Sequence, residues 1–203
     1  MSYMTTWGYE LPDAESLADI ISVEEFNTMT AGRYTGDIRI SSGIAAASLA
    51  LRNYCGWHLT GSLSCKATYT ATNRRIIRHG SDLTIQLPTR FLSAVSSVKI
   101  GDESTNDWAF ETNGLLTIYD ASICDRRTTI EVEYTAGIPD VSAIKELVAQ
   151  MVTLQVAKSY GVTSEAAGGV SITYNSAWTN GSFSSVLDNN VALLAPYRLE
   201  GVF

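Results

Sequence analysis

The chain has 203 residues, a hydrophobic content of 45%, a charged content of 17% and a formal net charge of -7. This composition is that of a folded globular protein, and it excludes extensive intrinsic disorder. The acidic balance also excludes a molecule that binds nucleic acid or anionic membranes through its overall charge.

Cysteine usage and the first residues indicate where the protein is made. Three cysteines (Cys55, Cys65 and Cys124) without paired spacing argue against a disulfide framework and suit a reducing compartment. The opening MSYMTTWGYELPD has neither the basic nor the apolar region of a secretory signal. The longest apolar stretch, IAAASLAL, is too short to span a membrane. We therefore predict a soluble protein made in a cytoplasm.

Two helices are predicted near the N-terminus. Residues 12–30 begin with a proline and acidic residues, as helix N-termini commonly do, and then carry Leu17, Ile20 and Ile21 as an apolar stripe. The second helical stretch, residues 37–57, has apolar residues at three- and four-residue steps: Ile40, Ile44, Ala47, Leu51 and Tyr54. Gly56 marks the expected end of this second helix.

From Leu59 to Thr135 the periodicity changes from helical spacing to alternation. Short alternating segments are separated by turn sequences such as HGSD, GDESTND and TNG. In the last segment Ile130, Val132 and Tyr134 share one face, while Glu131 and Glu133 share the other. This pattern predicts an antiparallel β meander, as a small sandwich or partial barrel.

Charged residues in this central third are interpreted as solvent-exposed. The basic residues concentrate there, at Arg74, Arg75, Arg78, Arg90, Lys99, Arg126 and Arg127, and such positions are most often exposed strand ends. The carboxylate pairs Glu24–Glu25, Asp102–Glu103 and Glu131/Glu133 are likewise interpreted as helix-end or solvent-face charges.

Helical spacing returns in the C-terminal third. Residues 140–160 carry one broad apolar face, made by Val141, Ile144, Val148, Met151, Leu154 and Ala157. A fourth helix is predicted over about 184–195, burying Leu187, Val191 and Leu194 before Pro196. None of these helices can bury its stripe alone, so we expect the N- and C-terminal pairs to pack together.

The predicted fold is α+β: an antiparallel bundle of about four helices with an inserted antiparallel β domain and an extended C-terminal arm and tail. Residues 1–57 form the N-terminal helices of the bundle and 58–136 form the inserted domain. Residues 137–203 form the C-terminal helices, with an arm at 161–183 and a tail at 197–203.

No set of residues predicts catalysis, a metal site or a cofactor. Cys55 and His58 are three residues apart across a helix end, a poor geometry for a nucleophile and its base. With Cys65 they still lack a fourth ligand for zinc. Cys55 is interpreted as a small buried residue. Asn180 begins a glycosylation sequon, which we interpret as a turn because no secretory signal is present.

The Gly168–Gly169 pair does not predict a phosphate-binding loop. Val170 and Ser171 follow it, where a Walker loop requires lysine and then serine or threonine. A dinucleotide fingerprint would follow a strand and open a helix, whereas this pair follows a helix and opens a strand. The pair is interpreted as a flexible break that releases the alternating segment Val170, Ile172 and Tyr174.

Two segments have no evident place in the core. The connection 161–183 is long for a compact domain, and its strand could join a sheet edge in its own chain or in a neighbouring subunit. The tail carries Tyr197, Leu199, Val202 and Phe203, as a docking peptide does, although it could equally fold back on its own domain.

The order of these elements resembles the phage head–tail connector family, also called adaptor or head completion proteins. The matching motifs are LALRNYCGWHL, LPTRFLSAVSSVKIGD, IEVEYTAGIPD, YGVTSEAAGGVSITY and LLAPYRLEGVF. The resemblance covers nearly everything from about residue 12 to the end of the chain. Many family members have a smaller central β region or lack one.

The resemblance implies a virion structural protein, not an enzyme, located at the head–tail interface and assembled in the host cytoplasm. It implies a twelve-membered ring that binds the portal protein on one side and a stopper or tail-completion protein on the other. Double-stranded DNA would pass through the channel without specific binding. By this resemblance Tyr197, Arg198, Leu199, Val202 and Phe203 face the portal, and Val170, Ile172 and Tyr174 form an inter-subunit arm.

One alternative of a different class stays open at this stage. A β sandwich of a phage tail or neck that recognises carbohydrate or a cell surface would expose clustered aromatic residues. The candidates in the β region are Trp57, Tyr69, Trp108 and Tyr119. Aromatic residues in sheets are more often part of the core, so the connector interpretation is preferred.

Overall fold

A computed structural model describes residues 3–12, 17–70, 72–121, 127–157, 164–167, 170–173 and 183–199. The protein is α+β, combining helices with antiparallel sheets. The chain divides into two compact units. Unit 1 comprises Met1–Leu17, Cys55–Pro139 and Tyr197–Phe203, and unit 2 comprises Ala18–Tyr54 and Asp140–Pro196.

Among the described residues, unit 1 contains ten strands. They are β1 Tyr3–Met4, β2 Glu10–Leu11, β3 Leu63–Thr70, β4 Ile76–His79, β5 Asp82–Gln86, β6 Leu92–Ile100, β7 Glu103–Thr105, β8 Trp108–Phe110, β9 Leu115–Ile118 and β10 Thr129–Ala136. A six-stranded sheet has the order β1-β2-β3-β10-β6-β7, and a four-stranded sheet has the order β4-β5-β9-β8. The predicted strand segments are confirmed, but GDESTND, predicted as a turn, contains β7, which pairs with β6. The order also departs from a simple meander, since β10 lies between β3 and β6.

The alternation of β10 explains how the core of unit 1 forms. Ile130, Val132 and Tyr134 are buried, while Glu133 is exposed. Side chains from both sheets join a single hydrophobic cluster, which includes Leu83 and Ile85 of β5 and Val132 of β10. Period-two alternation thus places one face of each sheet in a common core.

The N-terminal residues belong to this β unit, which differs from the sequence-based division at residue 57. Glu10 of β2 pairs with Lys66 of β3, which attaches the segment to the larger sheet. Trp7, Tyr9 and Leu11 are buried in the shared core. A two-residue strand gives too little alternation to be recognised from sequence, which is why this attachment was not anticipated.

Unit 2 contains five described α-helices and a short 3-10 turn. They are α1 Val23–Met29, α2 Arg39–Cys55, α3 Ser142–Ala157, α4 Phe183–Asn189 and α5 Val191–Leu194, followed by the 3-10 turn Ala195–Tyr197. The last residues of α2 and of the 3-10 turn already belong to unit 1. Among the residues described, no helix is both long and apolar enough to cross a membrane.

The first predicted helix, 12–30, was wrong in its start, because α1 begins at Val23. Ser22 and Glu25 form a capping box in which the Ser22 hydroxyl accepts from Glu25 N and the Glu25 carboxylate accepts from Ser22 N. This cap fixes the helix start more strongly than the proline and acids upstream. Ile20 and Ile21 are buried as expected, but outside a helix.

The second and third predicted helices are confirmed as α2 and α3, but two residues of the face predicted for α3 were wrong: Val141 precedes the helix and Ala157, in its last turn, is exposed. Ile40, Ile44, Ala47 and Leu51 are all buried along one side of α2, as their spacing requires. At Gly43 the two helices approach so closely that a Cβ atom would lie 3.0 Å from Gln155 Oε1 and 3.4 Å from Val152 Cγ1. Lys145 of α3 bonds Glu25 of α1 at 2.5 Å.

The fourth predicted helix is broken in two. Asn190 separates α4 from α5, and its backbone N–H bonds Leu187 O at 3.1 Å. Leu187 and Leu194 are buried as predicted, but Val191 is 47% exposed. The expectation for Val191 was wrong because the break at Asn190 changes the helical phase between the two segments.

Candidate docking site

Three aromatic rings of unit 1 stack where the C-terminal segment meets the β unit. Trp57 and Phe91 stack with ring centroids 6.2 Å apart, and Phe91 stacks in turn on Tyr197 at 5.9 Å. Trp57 is fully buried, and its indole Nε1–H donates to the carbonyl oxygen of Tyr197 at 2.6 Å. The buried indole N–H therefore finds its partner in the backbone of the C-terminal segment.

Two further hydrogen bonds hold the following residues. Arg90 Nε donates to the carbonyl oxygen of Arg198 at 3.1 Å. Leu199 N donates to the carbonyl oxygen of Cys55 at 3.0 Å, and the Leu199 side chain is buried. We call this arrangement, formed by residues 197–199 with Cys55, Trp57, Arg90 and Phe91, the C-terminal clamp.

Local sequence places each side of the clamp. Gly56 has a φ of +82°, a conformation that ends α2 after Cys55 and turns Trp57 toward the sheets. On the other side, the Thr89 hydroxyl accepts from Phe91 N at 3.0 Å, which orders the turn that presents Arg90 and Phe91. Thr89 is itself completely buried, so this turn is fixed within the unit.

Three of the motifs that carry the family resemblance meet in the clamp. CGWHL supplies Cys55 and Trp57, LPTRFL supplies Arg90 and Phe91, and APYRL supplies residues 197–199. The motifs can be identified from the sequence, but their contact with one another cannot. Trp57 and Tyr197 are 140 positions apart, and no local periodicity encodes such a pairing.

The predicted portal-facing residues fall into two groups. Tyr197 is half-buried and Leu199 is buried in the clamp, whereas the Arg198 side chain is exposed. Val202 and Phe203 lie outside the described residues. The segment 197–199 thus lies against its own β unit, and the contact of these five residues with a portal stays a prediction.

The predicted arm contains a β hairpin. Strand β11, Ser164–Ala167, pairs antiparallel with β12, Val170–Thr173, from Ser164↔Thr173 to Ala167↔Val170. Val170 and Ile172 lie in β12, while Tyr174 lies outside the described residues. Gly168 and Gly169, which were interpreted as a flexible break, lie outside the described residues. Contact of this arm with a neighbouring subunit stays a prediction.

Cys55, His58 and Cys65 are all buried within unit 1. Burial raises the pKa of the Cys55 thiol and of the Cys65 thiol to about 12. His58 Nδ1 lies 2.8 Å from the Tyr9 hydroxyl, and His58 Nε2 lies 3.0 Å from the carbonyl oxygen of Ala136. A buried neutral thiol is neither a nucleophile nor a metal ligand. Among the described residues, no three His, Cys, Asp or Glu side chains gather as a metal site would require.

The aromatic residues proposed for surface recognition do not form an exposed platform. Trp57 and Tyr69 are buried, and burial raises the pKa of Tyr69 to about 12. Trp108 is half-buried and packs on the core cluster, which leaves Tyr119, at 41% exposure, as the accessible member. The carbohydrate-binding alternative therefore lacks the feature that would favour it.

These features define an α+β protein in which residues 197–199 are held against the β unit. Comparison with family models gives a match to the family described as Head completion protein over residues 19–189. The chain belongs to this family of phage structural proteins, which places it in the virion as a component of the phage head. A comparison with curated proteins gave no match.

Proposed function

We propose that the protein is a head–tail connector whose copies form a ring below the portal. The ring extends the DNA channel and offers its other face to a stopper or tail-completion protein. The head completion family match, which spans 19–189, supports this proposal together with the order of the motifs along the chain. The number of twelve subunits follows from the resemblance.

The observation that carries the proposal is the C-terminal clamp. The clamp fixes residues 197–199 by three hydrogen bonds, so this segment has a defined position on the β unit. Tyr197 and Leu199 then anchor the tail, while the exposed Arg198 side chain, Val202 and Phe203 reach the portal. An anchored docking peptide loses less conformational entropy on binding than a free one.

The hairpin supports the proposed inter-subunit arm. A two-stranded hairpin is marginally stable alone in water and gains stability when another surface covers it. In a ring the neighbouring subunit supplies that surface, and Val170, Ile172 and Tyr174 face it. Such a contact between subunits forms on assembly and needs no matching surface within the free protein.

The charge of the chain suits a channel through which DNA slides. A net charge of -7 provides no general attraction for phosphate, so DNA passes without specific binding. Assembly takes place in the host cytoplasm, and the partners are the portal protein, the stopper or tail-completion protein and other copies of the chain.

Truncation after Leu199 tests the proposal. Removing residues 200–203 leaves the clamp complete, so we expect native thermal stability together with loss of portal binding. Light scattering of the protein with and without purified portal measures the assembly. The full chain should be monomeric or weakly associated alone and should form a ring on the portal.

Removal of residues 197–203 is the informative comparison. This larger deletion also removes the acceptor of the Trp57 indole and the buried Leu199, so we expect a lower melting temperature as well as loss of binding. The proposal fails if the shorter truncation binds the portal as the full chain does. It also fails if the full chain shows no association with the portal at any salt concentration.

A further inference from the structure

Two open sheet edges of unit 1 carry opposite charge. Strand β4 ends the four-stranded sheet and β7 ends the six-stranded sheet, so each has one side without a strand partner among the described residues. The unpaired N–H and C=O groups of such an edge can pair with a strand of another chain. The charges beside the two edges determine which strand each can accept.

The β4 edge is basic. Arg74 and Arg78 are exposed, and neither makes an ion pair within the part of the chain that the structure describes. Ile77 precedes Arg78 in the same strand and is 56% exposed. Asp82 and Asp120 lie at the far end, where both accept hydrogen bonds from Ser81.

The β7 edge is acidic. Asp102, Glu103 and Asp107 are all exposed, and they too make no ion pair within the described ranges. Lys99 of the adjacent strand β6 is the neighbouring positive group, since it pairs in register with Ser104. Three carboxylates against one ammonium leave this edge negative.

We infer that the basic β4 edge of one copy docks on the acidic β7 edge of a second copy. Pairing of β4 with another β4 would bring arginines together, and pairing of β7 with another β7 would bring carboxylates together. The two edges differ, so the contact is head-to-tail, and repetition of such a contact closes a ring when the rotation permits. The inference rests on the proposed function, in which several copies assemble side by side.

The size of the edges predicts a weak contact. Strand β7 has three residues and β4 has four, so the shared ladder is about 10 Å long. Surface ion pairs each contribute little and are screened by salt. Such a contact leaves the isolated protein largely monomeric and becomes effective when a platform brings copies together.

Reversing the charges of one edge at a time tests whether the basic edge and the acidic edge pair with each other. The variant R74E/R78E has two acidic edges, and the variant D102K/E103K has two basic edges. Sedimentation velocity of the full-length chain at low ionic strength should show self-association of each variant reduced about tenfold or more. An equimolar mixture of the two should associate at least as well as the native chain, because acidic and basic edges then alternate.

Two controls separate this result from other effects. The quadruple variant R74E/R78E/D102K/E103K has the native net charge and should self-associate like the native chain. Arg33→Glu, an exposed position in unit 2, should leave association unchanged apart from the small effect of net charge. Thermal unfolding establishes that each variant is folded, because all four positions are exposed.

The inference is overturned if either variant self-associates like the native chain, or if the mixture associates no better than its components. The portal is absent from this experiment, so its result is independent of the proposed function. A chain that fails to bind the portal but shows restored association in the mixture keeps the edge contact and loses the connector role. A chain that binds the portal but shows no restored association in the mixture keeps the connector role and loses the edge contact.

Discussion

The side-chain hydroxyl of Tyr9 joins the N-terminal segment to the centre of unit 1. It accepts a hydrogen bond from His58 N at 3.0 Å and lies 2.8 Å from His58 Nδ1. The carbonyl of Ala136 can only accept, so His58 Nε2 carries a proton there. With the proton on Nε2, His58 Nδ1 accepts a hydrogen bond from the Tyr9 hydroxyl. One hydroxyl thereby serves two polar groups of a buried histidine.

We expect Tyr9→Phe to destabilise the protein by about 1–3 kcal/mol, because it leaves a buried backbone N–H and a ring nitrogen without this partner. Urea unfolding followed by tyrosine and tryptophan fluorescence measures the change. Tyr119→Phe is the matched control, since Tyr119 is 41% exposed, and should have little effect. Equal stability of the two variants would contradict the role given to the Tyr9 hydroxyl.

At the scale of elements, helix α1 depends on Glu25 in two ways. The carboxylate completes the capping box with Ser22, and it also accepts a hydrogen bond from Lys145 Nζ on α3. The bond from Lys145, followed by the bond from Ser22, lowers the pKa of Glu25 below its usual 4.5. A lowered pKa in the folded state means that the ionised carboxylate stabilises the fold.

This contribution should be complete above pH 4.5 and should disappear as the pH falls through the lowered pKa of the folded state. Glu25→Gln keeps an oxygen acceptor for the cap but removes the charge. We therefore expect the native chain to exceed this variant in stability at pH 7 by about 0–1 kcal/mol, and the difference to shrink at pH 3. Urea titrations at the two pH values measure it.

Glu24→Gln is the control for this experiment. Glu24 lies one position earlier in the same helix and forms no ion pair among the described residues. A pH-dependent difference as large for Glu24 as for Glu25 would mean that the helix end, and not the bond to Lys145, determines the effect.

Helices and strands could be predicted from the sequence where the residue pattern that specifies them lies within the element itself. The alternation of Ile130, Val132 and Tyr134 gave β10, and the spacing of Ile40 and Ile44 gave α2. The start of α1 was wrong because proline and acidic residues outweighed the serine–glutamate cap that determines it. The placement of β10 between β3 and β6 is a non-local pairing, which periodicity does not encode.

The candidate docking site was predicted in part, for the same reason. The C-terminal segment was singled out because its aromatic and aliphatic residues had no evident core. Its partner, Trp57, was considered only as a candidate for an exposed aromatic cluster, whereas it is buried and donates a hydrogen bond to the backbone of Tyr197. The clamp could be recognised only in the folded structure, since the three motifs that form it are distant in sequence.

At the scale of the molecule, unit 1 is not a contiguous insertion. Trp7, Tyr9 and Leu11 join its core from one end of the chain, and residues 197–199 close the clamp from the other. Each buried large side chain contributes about 1.5–3 kcal/mol. Their combined loss is comparable with the total stability of a domain, about 5–15 kcal/mol.

A fragment of residues 58–136 should therefore fail to fold cooperatively. We expect it to lack the near-ultraviolet circular dichroism of packed aromatic residues and to unfold without a sharp thermal transition. The full chain, measured under the same conditions, provides the reference. A sharp transition in the isolated fragment would show that the two outer segments are dispensable for the core of unit 1.

The division into units has one more consequence, which concerns cleavage. The chain passes from one unit to the other after residues 17, 54, 139 and 196. A protease that cuts once, after residue 54 or after residue 139, leaves two fragments that each contribute to both units. Neither fragment can depart without dismantling a hydrophobic core, so a nicked subunit holds together until it is denatured.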